Sequence, residues 1–221
     1  YAEQDAAVTL RLWDRLRVDI KQDEVTSIFE LESSLLPVLL EMKTKGVRVD
    51  IDRAEQIQIE LGKREKELLK EIRSDTGVAI EPWSAASVAK AFDSLGLKYH
   101  RTENSNAPSF TKQFLSNHTH PIAQKIVKLR EFNKANTTFV ETILEHSCNG
   151  RIHCDFNPLR SDEGGTVTGR FSSSNPNLQQ IPARDPEIKS MIRGLFIPEE
   201  GTKWGSFDYA SREPRWLAHY C

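Results

Sequence analysis

The sequence predicts an α+β fold that is mostly helical to about residue 148 and contains strands from there on. In the first part, apolar residues recur at steps of three and four, as at Ile28, Leu31 and Leu35, which is the spacing of one helix face. From Arg151 onward, apolar and polar residues alternate instead, as in a half-buried strand. With 221 residues, the chain is long enough for one large domain or two small ones.

The helical part is predicted to hold several amphipathic helices and one short strand. The first four elements are a helix over 1–20, a helix that ends near Gly46, a strand over 47–51, and a helix capped by Asp52 that runs to about Arg73. Three more helices follow: one capped by Ser84 and closed by Gly96, one over about 110–115, and one that begins at Pro121.

The second part is predicted to form an antiparallel ribbon and then a strand–helix unit. A strand over 152–156 is followed by a turn over 162–165 and a second strand through Thr166, Thr168 and Arg170. A last strand then leads to a helix with Ser211 at its N-cap, so that Asp208 stands at the strand tip.

Composition limits the function classes. The chain has 30 basic and 32 acidic residues, so its overall charge does not favour nucleic acid and any surface that binds nucleic acid has to be a local one. Three cysteines, no signal peptide and no apolar span of membrane length favour a reducing, cytoplasmic setting without a membrane. The spacing of the His146–Cys154 histidines and cysteines matches no closed zinc pattern.

Two sets of residues suggest chemistry on an anionic polymer. Arg130 and Lys134 are one helical turn apart and Thr137 follows, a combination suited to phosphates; a plain solvated helix face is the alternative. Asp208 and Glu213 place two carboxylates close to arginines, which suits a substrate held by a divalent cation; a simple turn cap is the alternative for Asp208.

Two longer motifs resemble those of the family A DNA polymerases, the bacterial DNA polymerase I type and its phage relatives. Residues 208–215 resemble motif A, Asp-Tyr-Ser-Gln-Ile-Glu-Leu-Arg, and match it at Asp208, Tyr209, Glu213 and Arg215. Residues 166–182 resemble the palm motif Thr-x-Thr-Gly-Arg-Leu-Ser-Ser-x-x-Pro-Asn-Leu-Gln-Asn-Ile-Pro at more than a dozen positions. The variant motif A favours a phage source.

The resemblance implies three regions. Residues 1–22 would be the end of a 3′-to-5′ exonuclease domain, 23–148 the thumb with adjoining helices, and 149–221 the first half of a palm. Tyr1 and Asp5 resemble the third exonuclease motif, in which the Asp binds a metal, although the same pattern is common on helix surfaces. The other exonuclease carboxylates are missing, so these residues alone could not proofread.

The resemblance also assigns roles to individual residues. Duplex contacts would come from the thumb and from the palm motif, where Gln180 replaces the usual Asn: Arg130, Lys134, Thr137, Asn177, Gln179 and Gln180. Arg170 would contact the primer terminus, and Arg184 would lie near the primer and the incoming triphosphate. Asp208 and the Tyr209 carbonyl would hold two Mg²⁺ ions, and Glu213 would exclude ribonucleotides by crowding the sugar 2′ position.

The function implied is that of a DNA-directed DNA polymerase acting on primer-template DNA and deoxynucleoside triphosphates. The fingers helix and the His-Asp-Glu motif of the family are absent from the sequence, which also starts without Met, so we expect a piece of a longer polymerase that is inactive alone. The second Mg²⁺ would need a carboxylate from outside this piece. A non-catalytic nucleic-acid clamp and a single-subunit RNA polymerase are the alternatives. Accessory proteins cannot be inferred from the sequence.

Overall fold

The computed structural model describes residues 2–159, 165–183 and 185–221. It confirms the α+β class: long helices dominate, and the strands are short and antiparallel. The α-helices are α1 Ala2–Gln22, α2 Thr26–Lys45, α3 Ile51–Thr76, α4 Ala85–Ser94, α5 Lys112–Asn117, α6 Pro121–Lys134, α7 Glu141–Glu145, α8 Pro186–Arg193 and α9 Arg212–Tyr220.

The strands form three small sheets. They are β1 Val47–Arg48, β2 His100–Arg101, β3 Pro108–Ser109, β4 Ser147–Cys148, β5 Arg151–Ile152, β6 Asp155–Asn157 and β7 Ser172–Ser174. The first sheet has the order β1-β5-β4, and β2 pairs with β3 and β6 with β7. In the last pair Phe156 lies opposite Ser173, which sets the register of the loop that follows β7.

Two hydrophobic cores divide the helical part. The lower core joins α3 and α7 to β5 and α8; it contains Leu61, Phe132, Val140, Ile152, Ile192 and Leu195. The upper core joins the far ends of α3 and α6 to α4 and α5; it contains Ile72, Phe92, Leu115, Ile122, Ile126 and Leu129. Since α3 and α6 contribute to both, these two helices fix the upper unit on the lower one.

A single helical rod runs from α6 to α7 through an intervening π-helical segment, Ala135–Val140. Both residues that bound the segment, Ala135 and Val140, are buried in the lower core. Wider π turns are uncommon and are often found near functional sites. The residues before and inside this segment are those predicted to contact phosphates.

Local signals fixed most helix ends. Ser84 accepts a hydrogen bond from the backbone N–H of Ser87, as predicted for an N-cap, and Gly96 follows the end of α4 with a φ of +65°. The predicted cap of α3 was wrong: Asp50, not Asp52, accepts the N–H of Arg53 at 3.0 Å. An N-cap needs an extended backbone before the first helical residue, and Asp50 has it.

Two predicted strands were wrong. The second strand of the ribbon is β7, because the residues through Thr168 and Arg170 form a turn instead. Residues 203–207 pair with no strand within the described part of the chain, and Phe207 is 96% exposed. An apolar alternating pattern predicts a strand only if a partner strand offers its backbone groups. The turn predicted over 162–165 begins outside the described residues.

Large apolar side chains remain exposed on α1 and α2, among them Leu10, Ile28 and Leu40. The C-terminal segment from Thr202 to Cys221 is exposed throughout. Among the described residues, no helix combines the length and the apolar character needed to cross a membrane.

Candidate nucleic-acid interface

The structure brings the two most specific sequence motifs together through Arg170 and Glu213. Nη2 of Arg170 donates a hydrogen bond of 2.9 Å to Oε1 of Glu213. The turn that presents Arg170 is closed by Thr166, whose hydroxyl donates to the Arg170 carbonyl at 2.7 Å. Gly169 enters this turn with a φ of +72°, a conformation that glycine adopts without strain. Both side chains of the pair are about three-quarters exposed, so they are accessible to a ligand.

Asp208 lies just before α9, in the same region. It is five residues from Glu213, and a chain of that length spans at most about 18 Å. Its carboxylate is exposed, as is the side chain of Tyr209. Ser211 occupies the predicted N-cap position but has a left-handed backbone, with φ +53°, and its hydroxyl makes no capping hydrogen bond. Glu213 falls in the first turn of α9, where a carboxylate is favoured by the helix dipole.

The described residues do not by themselves form a metal site. Asp208 and the Tyr209 carbonyl offer hard oxygen ligands of the type that Mg²⁺ takes. However, no group of three or more His, Cys, Asp or Glu side chains in the described ranges is placed to hold an ion. The magnesium assignment of Asp208 therefore stays a prediction that needs further ligands.

The loop after β7 is ordered by its own amide and hydroxyl groups. The Asn177 side-chain oxygen accepts from the hydroxyl of Ser173 at 3.2 Å and from the backbone N–H of Gln179 at 3.0 Å. Gln179 donates through Nε2 to the Phe171 carbonyl at 3.0 Å. These bonds hold Asn177 and Gln179 at the surface, and both residues are exposed, as is the following Gln180.

A cleft of about 510 Å³ joins this loop to α6. Gln179 and Gln180 line one side, and Lys134 and Lys112 line the other. The resemblance assigned Lys134, Gln179 and Gln180 to duplex binding, and the three residues line this one cavity; their contact with DNA stays a prediction. An exposed lysine facing exposed amides suits a phosphate–sugar backbone, which needs charge and hydrogen bonding without sequence reading.

Arg130 has a different environment from the one predicted. Its Nε donates to the Pro82 carbonyl and its Nη1 to the Phe110 carbonyl, both at 2.7 Å. The guanidinium also lies over the ring of Trp83, and burial lowers the pKa of Arg130. Arg130 therefore ties α6 to the segments before α4 and α5.

Thr137 and Asn136 lie in the π-helical segment and face different surroundings. Thr137 is exposed, and its hydroxyl donates to the Asn133 carbonyl at 2.9 Å. The side-chain oxygen of Asn136 is buried and has no hydrogen-bond partner in the described part of the chain.

Comparison with known proteins identifies the chain. The model of DNA polymerase family A matches residues 51–221. The chain belongs to this family. The match spans both the α3–α6 helices and the Arg170–Glu213 region, so the two halves of the interface fall within one family pattern.

Polymerases of phages and bacteria are similar over the full length of this chain. A DNA-directed DNA polymerase of Pseudomonas phage M6 is 38% identical over 230 residues, which cover 100% of the chain and 34% of that protein. DNA polymerase DpoZ of Vibrio phage phiVC8 is 34% identical over 230 residues, 99% of the chain and 36% of that protein. The thermostable DNA polymerase I of Thermus aquaticus is 34% identical over 226 residues, 99% of the chain and 26% of that protein. The chain thus spans about a third or less of these relatives.

A solved structure supports the same family. The polymerase domain of Pol1 from M. smegmatis, in complex with a DNA primer-template and dNTP, superposes with a TM-score of 0.65 at 29% identity. The similarity covers 77% of this chain and 30% of that one. The family fold of α helices with small antiparallel sheets is therefore present here.

Two predicted site residues, Arg184 and Asp5, are not part of the interface described above. Arg184 lies outside the described residues. Asp5 is exposed in the first turn of α1, and its backbone carbonyl accepts the Thr9 hydroxyl at 2.8 Å. Its proposed metal role in an exonuclease stays a prediction, and so do the three region boundaries.

Sequence reasoning missed an ion cluster beside the interface. Lys128 of α6 pairs with Glu187 of α8 at 2.9 Å, and Arg64 of α3 contacts the same carboxylate. Lys128 and then Arg64 lower the pKa of Glu187. The cluster connects three helices close to the loop that carries Gln179 and Gln180. Only the i,i+4 spacing of Glu60 and Arg64 had signalled part of it.

Proposed function

We propose that this chain is part of a DNA-directed DNA polymerase that adds deoxynucleotides to a primer 3′-hydroxyl. The observation that carries the proposal is the hydrogen bond between Arg170 and Glu213, because it joins the palm motif to motif A. Arg170 has five donors in a planar fork, which suits acceptors in a minor groove at a primer end. In this proposal Glu213, held next to Arg170, would lie where an incoming sugar meets the primer.

In this proposal the cleft between α6 and the 177–180 loop binds the duplex. Lys134 would contact a phosphate, while Asn177, Gln179 and Gln180 would contact sugars and base edges from the other side. The polymerase domain of Pol1 that resembles this chain was solved with a primer-template and dNTP, which supports these ligand classes here. No accessory protein is proposed.

Glu213 would select the sugar. A carboxylate next to the 2′ position leaves no room for a hydroxyl, so deoxynucleotides would bind and ribonucleotides would be rejected. Asp208 would supply one oxygen ligand toward magnesium, which when bound supplies charge stabilisation for phosphoryl transfer. The remaining ligands would come from outside the described residues.

Primer extension by the full-length product of the reading frame tests the proposal. Asp208→Asn should abolish extension with primer-template binding intact within about threefold, because a missing metal ligand affects chemistry more than duplex affinity. Asp23→Asn, in the loop after α1, is the matched control and should extend normally. Extension that survives Asp208→Asn contradicts the assignment of Asp208.

The same assay separates the alternatives. A non-catalytic clamp would bind primer-template DNA without extending it at any magnesium concentration. An RNA polymerase would prefer ribonucleoside triphosphates. The 221 residues alone are expected to give no extension.

A further inference from the structure

A second groove lies on the opposite side of the Glu131–Lys134 ridge of α6. It has a volume of about 590 Å³, which is within the range of small-molecule sites. Phe110, Leu115 and Val127 give it an apolar floor, and Trp83 stands in its wall. Phe110 and Leu115 belong to the upper core, so the floor is rigid.

The Trp83 side chain is both fixed and exposed. Its Nε1 donates to the side-chain oxygen of Asn133 at 2.6 Å, and Asn133 in turn donates to Glu65 at 3.1 Å. The guanidinium of Arg130 lies 5.4 Å from the ring centroid. The residue nevertheless remains 56% exposed. An indole held this way loses little further conformational entropy when a planar group stacks on it.

The charges around the groove favour an anionic ligand. Lys112 is paired with Glu131 at 2.9 Å. The two partners of Arg130 are neutral carbonyls, so they do not compensate its charge. Lys134 has no carboxylate within ion-pair distance in 2–159, 165–183 and 185–221, and its side chain is exposed. Three cations and one carboxylate therefore leave an excess of two positive charges.

The groove is continuous with the cleft assigned to the duplex. Lys112, Glu131 and Lys134 line both cavities. A strand that follows the Gln179–Gln180 loop can therefore pass Lys134 and reach Trp83. An aromatic face combined with lysines along a backbone track is the usual arrangement for single-stranded nucleic acid.

We propose that this groove takes an unpaired nucleotide of the bound DNA, with its base stacked on Trp83 and its phosphate held by Lys134. A paired base is not accessible for stacking, so the site would distinguish frayed or single-stranded ends from continuous duplex. The proposal rests on the proposed function, because it assumes that the neighbouring cleft binds DNA.

Binding of two probes to the full-length protein tests the site. The first is an oligothymidylate of about twelve nucleotides, a common footprint for single strands, and the second is a blunt duplex of similar length. Trp83→Ala should weaken oligothymidylate binding about tenfold, the loss expected for one stacked base, and should change duplex binding less than about twofold. Trp83→Phe keeps a stacking ring and should retain most of the affinity.

Trp204→Ala is the matched control, since Trp204 is also an exposed indole whose Nε1 donates to a protein oxygen, the Phe196 carbonyl. It should leave both affinities unchanged. Equal losses on both probes with Trp83→Ala, no loss on either, or an equal loss with Trp83→Phe would overturn the proposal. Failure of the unaltered protein to bind either DNA would instead overturn the proposed function.

A stacking signal excludes a merely structural effect. With 2-aminopurine at one position of the single strand, its fluorescence should be quenched on binding to the unaltered protein and to Trp83→Phe. It should stay bright in any complex that Trp83→Ala still forms. Quenching that persists without the indole would place the base elsewhere.

Discussion

Arg170 and Glu213, which are 43 residues apart in the chain, are joined by a direct hydrogen bond of 2.9 Å at the protein surface. Because both side chains are largely exposed, the pair contributes little to stability. The pair matters for its geometry, because it holds the carboxylate that we propose to select the sugar next to the group that we propose to contact the primer terminus. Because Glu213 uses only one of the five N–H donors of Arg170, the others remain available to a primer end.

Replacing Glu213 with Ala is expected to increase ribonucleotide incorporation by about tenfold or more, because removing the carboxylate opens the 2′ position. The melting temperature should hardly change, since an exposed ion pair is worth about 0–1 kcal/mol. Single-nucleotide incorporation with matched ribo- and deoxyribonucleotides measures the ratio. Glu200→Ala, on the exposed turn before Thr202, is the control, and unchanged selectivity in Glu213→Ala would remove the assignment.

Lys134→Ala is expected to reduce DNA binding, whereas Arg130→Ala is expected to reduce the stability of the fold. Lys134→Ala should weaken DNA binding and lower the salt slope by about one unit, because one phosphate contact is lost. Its free energy of unfolding should change by less than about 0.5 kcal/mol. Arg130→Ala should cost about 2 kcal/mol of unfolding free energy, because two part-buried hydrogen bonds to backbone carbonyls are lost.

Salt titrations of binding and denaturant unfolding of the two variants separate these effects. Lys66→Ala, exposed on α3, is the control for loss of a surface lysine. If Arg130→Ala were as stable as the unaltered protein while losing DNA affinity, Arg130 would be a DNA contact after all, as its sequence position alone suggested.

Glu187→Gln should change how stability depends on pH. The pKa of Glu187 in the folded protein is lowered by Lys128 and Arg64. Its contribution is therefore present above the unfolded pKa of about 4.3 and is lost as the pH falls through the lower folded pKa. At pH 7 the variant should be less stable by about 0.5–1 kcal/mol, because the carboxylate is partly exposed.

The difference between the two proteins should disappear well below pH 4, which urea unfolding at both pH values measures. Glu55→Gln, which replaces an exposed glutamate on α3, is the matched control and should have the stability of the unaltered protein. A difference that persists in acid would mean that Glu187 acts through packing, not through charge.

Gly46→Ala should destabilise the turn between α2 and β1. Gly46 has a φ of +64°, and an added Cβ would lie 2.7 Å from the His153 ring and 2.8 Å from the Ile152 carbonyl. Backbone strain and this contact together should cost about 1–3 kcal/mol. Gly77→Ala is the matched control, because its φ is +72° and no atom lies near the added Cβ.

Thermal unfolding of the two glycine variants measures these costs. Gly77→Ala should show the strain of a left-handed backbone alone, about 1 kcal/mol. Gly46→Ala should lose more, because its ψ of −179° lies in a region that is nearly restricted to glycine and because the contacts with the His153 ring and the Ile152 carbonyl are added to the strain. Equal losses in both variants would contradict this account of Gly46.

The helices were predictable because their signals are local. Apolar spacing, the Ser84 cap and Pro121 at the start of α6 all act within one or two turns of chain. The strand over 203–207 was predicted wrongly for the opposite reason, since a strand is stabilised by a partner that can lie anywhere in the sequence. The cap of α3 was placed two residues too late. Asp50 and Asp52 both have a side chain that suits an N-cap, and only the backbone conformation decides between them.

The site residues were likewise predictable where the signal is local and unpredictable where it depends on distant parts of the chain. Residues 166–182 and 208–215 predicted the family, which the comparisons confirmed. The surroundings of Arg130 could not be predicted, because its acceptors belong to Pro82 and Phe110, 48 and 20 residues away. The role proposed for Trp83 could not be predicted from the sequence, because an isolated tryptophan indicates neither its exposure nor the hydrogen bond that orients it.

The π-helical segment Ala135–Val140 fixes the phase between the two ends of its rod. Each residue of an α-helix advances the side-chain direction by about 100°. A π turn holds about one residue more than an α turn, so deleting one residue here would let the rod wind as a regular helix with Lys134 and Ile143 kept on their present faces. An inserted residue would instead rotate Ile143 by about 100° relative to Lys134 and turn it out of the lower core. Changes in the length of this stretch are therefore tolerated in one direction only: a deletion preserves the relation between the lysine face and the core that supports it, and an insertion breaks it.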